Sequence, residues 1–263
     1  MEQSPARQHS SRKSWILAIA VFVILTGIAA YVQWSISRPQ PPAPEVPYEA
    51  PVAEPEVTTL EEVAEYTAGR PIPPVATEES AGNVGKNAYQ EHIRGDLDAR
   101  FSIVEYGSMM NSYTRLIHPE LKAFIEANPD VNWIFRHYPI DRNEMDMPVA
   151  KVSECVYRFS GDEGFWAFTD AVYERPAITQ LEAAFEMASE LVADADMQKC
   201  YDDPIIWKYV QDDKRLGYFL GKVTIVPTFF FVDNATKQER VLSGVDTIDF
   251  FQQIVDTMRQ VPA

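Results

Sequence analysis

Phe101-Ser-Ile-Val-Glu-Tyr106, Ser112-Tyr-Thr-Arg-Leu-Ile-His-Pro-Glu-Leu-Lys-Ala-Phe-Ile-Glu-Ala127 and Val131-Asn-Trp-Ile-Phe135 follow one another closely, and their patterning decides the fold. The first is a short apolar run rich in β-formers and reads as a strand. In the second, Tyr113, Leu116, Ile117, Leu121, Phe124 and Ile125 recur near one face at helical spacing. Pro119 would kink this helix or fix its first turns, and Asn128-Pro129 ends it. In the third, Val131, Trp133 and Phe135 alternate with the polar Asn132 and Arg136, which predicts a second strand. Strand–helix–strand at this spacing implies a right-handed parallel unit.

Downstream, roughly 145–221 is helical in pattern, with candidate helices at 148–160, 163–174, 179–192 and 204–220. Thr179-x-x-Glu182 fits a capping box for the third of these. Asp203-Pro204 suits the start of the fourth, with proline at the first helical position. Thr228 to Val232 reads as an apolar strand and Arg240 to Leu242 as a short one after a turn at Asp233-Asn234. A last helix over 246–260 places Phe250, Phe251, Ile254, Val255 and Met258 on one stripe. The order is βαβ, a helical insertion, then ββα, an α/β domain over 86–263 with its insert at about 145–221.

Upstream the composition changes. Residues 1–14 carry Arg7, Arg12 and Lys13 and read as a cytoplasmic tail. Trp15 to Trp34 contains no charge. At about 1.5 Å per residue these twenty residues match a bilayer's hydrocarbon core, and Trp15, Tyr31 and Trp34 fall near its ends, where amphipathic rings prefer to sit. The basic cluster precedes the segment, so the N-terminus is expected to stay inside and the rest to be exported. This predicts a single-pass signal anchor in a bacterial inner membrane with a periplasmic or other extracytoplasmic domain. The competing reading is a cleaved signal peptide, with Gly27-Ile28-Ala29 as the cleavage site.

Residues 35–85 read as a disordered linker rich in Pro and Glu. Ten prolines fall between Pro39 and Pro74, and such a segment favours extended polyproline II over a packed core. Within it, Thr59-x-x-Glu62 fits a capping box, with Leu60, Val63 and Ala64 able to share one helical face. This stretch reads either as a docking helix for a partner or as a transient turn.

The formal charge is −16, which opposes nucleic-acid binding. The two cysteines, Cys155 and Cys200, are too far apart for a Cys-x-x-Cys motif, and the four histidines are scattered without ligand spacing. The sequence therefore shows no metal signature and implies no cofactor. Asn234-Ala235-Thr236 fits a glycosylation acceptor and equally a hairpin turn.

Several short segments, in order, resemble the DsbA-like thioredoxin-fold family. They are His92-x-Arg94-Gly95-Asp96, Ser102-Ile103-Val104-Glu105-Tyr106, His118-Pro119, Arg136-His137-Tyr138-Pro139, Glu154-Cys155 with Phe165-Trp166, and Val226-Pro227-Thr228-Phe229. The resemblance covers about 90–262 and implies a thioredoxin fold interrupted by a helical insert. By its register, Asn111-Ser112-Tyr113-Thr114 stands where that family carries Cys-x-x-Cys, with Asn111 and Thr114 at the cysteine positions. Disulfide exchange needs a thiolate and a resolving thiol, so no catalytic residue is expected there, and Asn111 is read as an N-cap. Glu105 matches the family's acidic residue beneath the active site and is expected to be a buried acid, either raised in pKa or satisfied by a donor.

The resemblance also implies a cis peptide before Pro227. Ile225, Val226, Pro227, Tyr113, Met109 and Met110 are then expected to offer an apolar patch to an extended peptide; the alternative is that Met109 and Met110 pack beneath the loop and Pro227 only preserves the fold. Cys155 and Cys200 are expected to pair as a structural disulfide, the alternatives being two free thiols or a redox-active pair. The function expected is that of a membrane-tethered, redox-inactive DsbA-like protein that binds an envelope protein or extended peptide as a chaperone or assembly factor. The alternatives are a thiol-disulfide oxidoreductase acting through Cys155 and Cys200 or a partner's thiol, and a structural subunit of an envelope complex.

Overall fold

The computed structural model describes residues 58–75, 91–192 and 194–262. The expected cytoplasmic tail, the anchor at Trp15–Trp34 and most of the linker lie outside the described residues. Among the described residues no helix is long and apolar enough to cross a membrane.

The strand–helix–strand unit forms as its patterning requires. Strand β1 (His92–Arg94) leads into β2 (Phe101–Gly107), helix α2 (Ser112–Ala127) and β3 (Val131–His137), after a first helix α1 (Leu60–Thr67). The insert follows as α3 (Asp146–Glu174), α4 (Leu181–Ser189), α5 (Asp194–Tyr201) and α6 (Pro204–Phe219), and the chain closes with β4 (Thr228–Asp233), β5 (Glu239–Ser243) and α7 (Ile248–Arg259). The sheet order is β1-β3-β2-β4-β5. Only β2 and β3 run parallel, which matches the crossover through α2. β2 is central and buried on both faces along its whole length, so it reads as a continuous run rather than an alternating one.

The pleat divides that run. Phe101 and Ile103 join Trp133, Phe135, Phe229 and Phe231 in the larger core, under α2, α3 and α7. Val104 and Tyr106 face the other way, with Ile134, Phe230 and Val232 beneath Leu216 of α6. Glu105, on the same side of the pleat as Ile103, is thereby carried into the larger core.

The insert differs from its predicted form in three places. The candidates 148–160 and 163–174 are one run broken at Gly161, whose φ of 63° lies outside helical space. The capping box at Thr179 does not form. α4 begins one residue later than that box requires, with Gln180 at the N-cap position and no side-chain cap bond. The stretch after Ser189 leaves the helix, and α5 forms over 194–201 where no helix was expected. The Asp203 carboxylate does accept the Ile205 amide at 3.1 Å, so α6 starts as predicted.

Cys155 of α3 and Cys200 of α5 form a disulfide, and both are buried. It ties α3 to α5 across the rest of α3 and all of α4. The turn at Asp233 forms too: its carboxylate accepts the Ala235 and Thr236 amides at 2.9 and 3.2 Å. Asn234 spends its amide N–H groups on Ala99 O and Ser102 Oγ, so the turn reading of Asn234-Ala235-Thr236 accounts for this side chain.

Residues 58–75 depart from the expected disordered linker. The Thr59–Glu62 capping box closes as predicted, but α1 docks on the chain's own domain. Val63 is fully buried in the larger core and Leu60 and Ile72 pack against it. The Thr67 hydroxyl donates to Asp246 at 2.8 Å and Arg70 pairs with the same carboxylate at 3.2 Å. Val75 then bridges to Arg240, whose guanidinium donates to Pro73 O.

Candidate functional site

The site lies at the C-terminal end of β2. Gly107 closes the strand where a side chain has no room: a Cβ there would stand 2.6 Å from a ring carbon of Phe135 and 2.9 Å from Glu105 Oε1. The chain then turns through Ser108, Met109 and Met110 into α2. That turn is held from below. The Asp146 carboxylate accepts the Ser108 hydroxyl and the Ile140 amide, each at 2.6 Å, and the Tyr173 hydroxyl donates to Ser108 O at 3.2 Å.

Asn111 caps α2. Its side-chain oxygen accepts the amides of Tyr113 and Thr114 at 2.9 and 3.0 Å, two of the free donors that every helix N-terminus presents. Ser112 is exposed, Tyr113 half-buried and Thr114 enclosed at 1%. No sulfur stands in this tetrapeptide.

The Val226–Pro227 peptide is cis. Tyr106 pairs with Thr228 across β2 and β4, so Pro227 falls one step beyond, at the end of the sheet where β2 gives way to the α2 turn. The Thr228 hydroxyl donates to Ile225 O at 2.8 Å and the Gly244 amide to Pro227 O at 2.9 Å. Ile225 and Val226 stay half-exposed, and Val226 packs against the smaller core. Of the two methionines, Met109 is wholly buried and only Met110 retains surface. Met109 therefore lies beneath the loop and Pro227 is buried too, which corrects the expected patch; Ile225, Val226, Met110 and Tyr113 are each partly exposed.

Glu105 is fully buried. The Trp133 indole donates to its Oε2 at 3.0 Å, while Oε1 has no partner among the described residues. Burial pushes the carboxyl up to about 8, against the lesser pull of the Trp133 bond. At neutral pH the acid is thus held mainly protonated.

His118, on α2 behind the site, serves a different cluster. Its Nε2 stands 2.7 Å from Asp170, which also takes Arg94 at 2.8 Å and Lys122 at 2.6 Å. Burial alone would raise Asp170, but His118, Lys122 and Arg94 together hold it well below the usual range. This clasp joins β1, α2 and α3, and Arg94 lies 4.4 Å over the Trp166 ring. Arg94 accordingly braces β1 against α2 and α3, while Gly95 and Asp96 stay exposed. Nothing in the spacing of His92, His137 and Glu154 foretells that the fold brings them together at one point.

Solved structures with the same architecture include Pseudomonas aeruginosa DsbA2, 24% identical, covering 66% of this chain and 97% of that one at a TM-score of 0.57. The thiol-disulfide exchange protein alpha-DsbA2 of Wolbachia pipientis is 17% identical, covering 68% and 95% at 0.56. BcfH of Salmonella enterica Typhimurium is 15% identical, covering 93% and 91% at 0.57. At these identities the likeness is one of fold. No curated protein sequence matches the chain. A family profile described as thioredoxin matches residues 87–255, the sheet, the insert and most of the last helix, and the chain therefore belongs to that family, with a DsbA-like thioredoxin fold.

Proposed function

We propose that this is a membrane-tethered, extracytoplasmic DsbA-like protein that binds an extended peptide or an envelope protein and does not exchange disulfides at the usual position. The observation that carries this reading is the Asn111 cap. In a thiol enzyme of this fold, the free amides and the dipole at the helix N-terminus would stabilise a thiolate. Here those amides at Tyr113 and Thr114 are taken by the Asn111 carboxamide. An amide oxygen is neither a nucleophile toward sulfur nor a leaving group. Both cysteine sulfurs of the chain are buried in the Cys155–Cys200 bond, which speaks against their serving as the exchanging pair.

What remains at this end of the sheet suits binding. Ile225 and Val226 before the cis-proline, and Met110 and Tyr113 at the α2 turn, are half-exposed apolar side chains of the kind an extended peptide would contact. The uncharged run at Trp15–Trp34 supports tethering to the inner membrane, with the domain in the oxidising compartment where its disulfide persists.

The test has two arms. Purified protein is assayed for insulin reduction and dithiol oxidation, with no turnover expected. In membranes, a photoreactive residue at Tyr113 is expected to crosslink an envelope protein in a way that an excess of extended peptide suppresses. Turnover at the rate of a Cys-x-x-Cys enzyme overturns the reading, as does crosslinking indifferent to peptide.

A further inference from the structure

Two of the four histidines meet in the interior. His92 opens β1, His137 ends β3 and Glu154 lies in the first half of α3, and one ligand atom from each lies within 4.8 Å of the others. His92 Nε2 is 2.9 Å and His137 Nε2 3.3 Å from the same oxygen, Glu154 Oε1. The three side chains are 0%, 1% and 6% exposed. The cluster lies on the insert side of the fold and shares no residue with the Asn111 turn or the cis-proline loop.

We propose that His92, His137 and Glu154 form a binding site for one divalent transition-metal ion of zinc's class. Tetrahedral zinc with bonds near 2.1 Å sets its ligand atoms about 3.4 Å apart. The 3.3 Å separation of His137 matches that value, the 2.9 Å separation of His92 is about half an ångström short of it, and all three ligand atoms lie within 4.8 Å, so the ion requires side-chain shifts of about half an ångström or more. Two imidazoles and one carboxylate suit zinc or its neighbours and supply too few oxygens for calcium or magnesium. Ser153 Oγ stands 3.3 Å from His137 Nε2 and donates to Ala150 O at 2.8 Å.

The surroundings favour a cation. Asp162 accepts the Ile93 amide at 2.9 Å and faces His92. Asp213 accepts the His137 amide at 3.0 Å and faces both His137 and Glu154. Arg136, one residue before His137 on β3, is engaged by Glu91. Three carboxyl groups thus stand near the two imidazoles, a setting that tolerates a dication. The ion would join β1, β3 and α3, bracing the insert against the sheet as structural zinc sites do.

The outer shell is incomplete. Nδ1 of His92 has no partner among the described residues, and the ring is held instead by stacking on Phe165 at 3.7 Å. A ligating imidazole without its outer acceptor loses roughly 10–100-fold in metal affinity. The ion is therefore expected to be removable by chelator without denaturing the whole domain.

The same geometry would hold without metal if both rings donated N–H to Glu154, so the experiment must separate the two. Full-length protein is stripped with chelator in denaturant and refolded with ZnCl2, with CoCl2 or with neither. Expected are one zinc retained per chain after desalting, a higher melting temperature with zinc, and visible absorption from four- or five-coordinate cobalt. Glu154→Gln, confirmed folded by near-ultraviolet circular dichroism, is expected to retain no zinc and show no cobalt band. Wild-type protein that refolds without retaining metal overturns the proposal, and this arm stands even where the variant fails to fold. Unchanged stoichiometry in folded Glu154→Gln overturns it equally, by placing the ion elsewhere.

Discussion

Trp133 donates its indole N–H to one oxygen of the Glu105 carboxyl at 3.0 Å, and the other oxygen has no partner among the described residues. One bond does not offset complete burial, and the carboxyl is raised from 4.5 to about 8. Between those values the unfolded chain releases a proton that the folded chain keeps. Stability therefore falls as pH rises through this window, by about 1.4 kcal/mol per unit. Below 4.5 and above 8 the group adds no slope. Glu105→Gln keeps an acceptor for Trp133 and removes the titration. Urea unfolding at pH 5 and pH 8 is expected to show the variant gaining on wild type as pH rises; equal slopes for both proteins would refute the buried acid.

The cap at Asn111 gives a gain-of-function prediction. Asn111→Cys with Thr114→Cys places two thiols at the first turn of α2, where free amides and the helix dipole lower a thiol pKa. Insulin reduction is expected to rise from background to a measurable rate, with Cys155 and Cys200 still bonded. Asn111→Ala, in contrast, is expected to cost about 1 kcal/mol by leaving the Tyr113 and Thr114 amides uncapped.

Residues 58–75 behave as part of the domain. Val63 is fully enclosed, so Val63→Ala is expected to destabilise by about 2 kcal/mol, the loss of two buried methyls plus a small cavity. Chemical denaturation measures this. A loss below a few tenths of a kcal/mol would show α1 detached in solution.

The Cys155–Cys200 bond closes a separation of 45 residues. In the chain-entropy model such a loop stabilises by about 4 kcal/mol as an upper figure. Cys155→Ala with Cys200→Ala is expected to lose up to that amount. Because both sulfurs are buried, native wild-type protein is expected to resist reduction by glutathione, and alkylation after mild reductant reports on it directly.

Much of this architecture could be read from residue order. The alternation through Val131, Trp133 and Phe135, the stripe on α2 and the Asp203-Pro204 start are local signals, and the elements formed where they pointed. Local signals failed at Thr179, where a good capping pattern stands one residue out of register with the helix that packing selects. They also failed at α5. The docking of α1 was illegible for a further reason. A capping box shows that a helix can start, but the partners that hold residues 58–75, Arg240 and Asp246 among them, lie more than a hundred residues downstream.

Taken alone, the order of residues determined the fold class, the uncharged N-terminal run and the absence of sulfur from 111–114, since each is a property of neighbours along the chain. Tertiary structure decided the rest. It buried Met109 and left Met110 at the surface, isolated Glu105 with a single donor, and gathered His92, His137 and Glu154 from three elements. Those outcomes depend on which faces meet across the sheet, and sequence spacing carries no record of distances closed by packing.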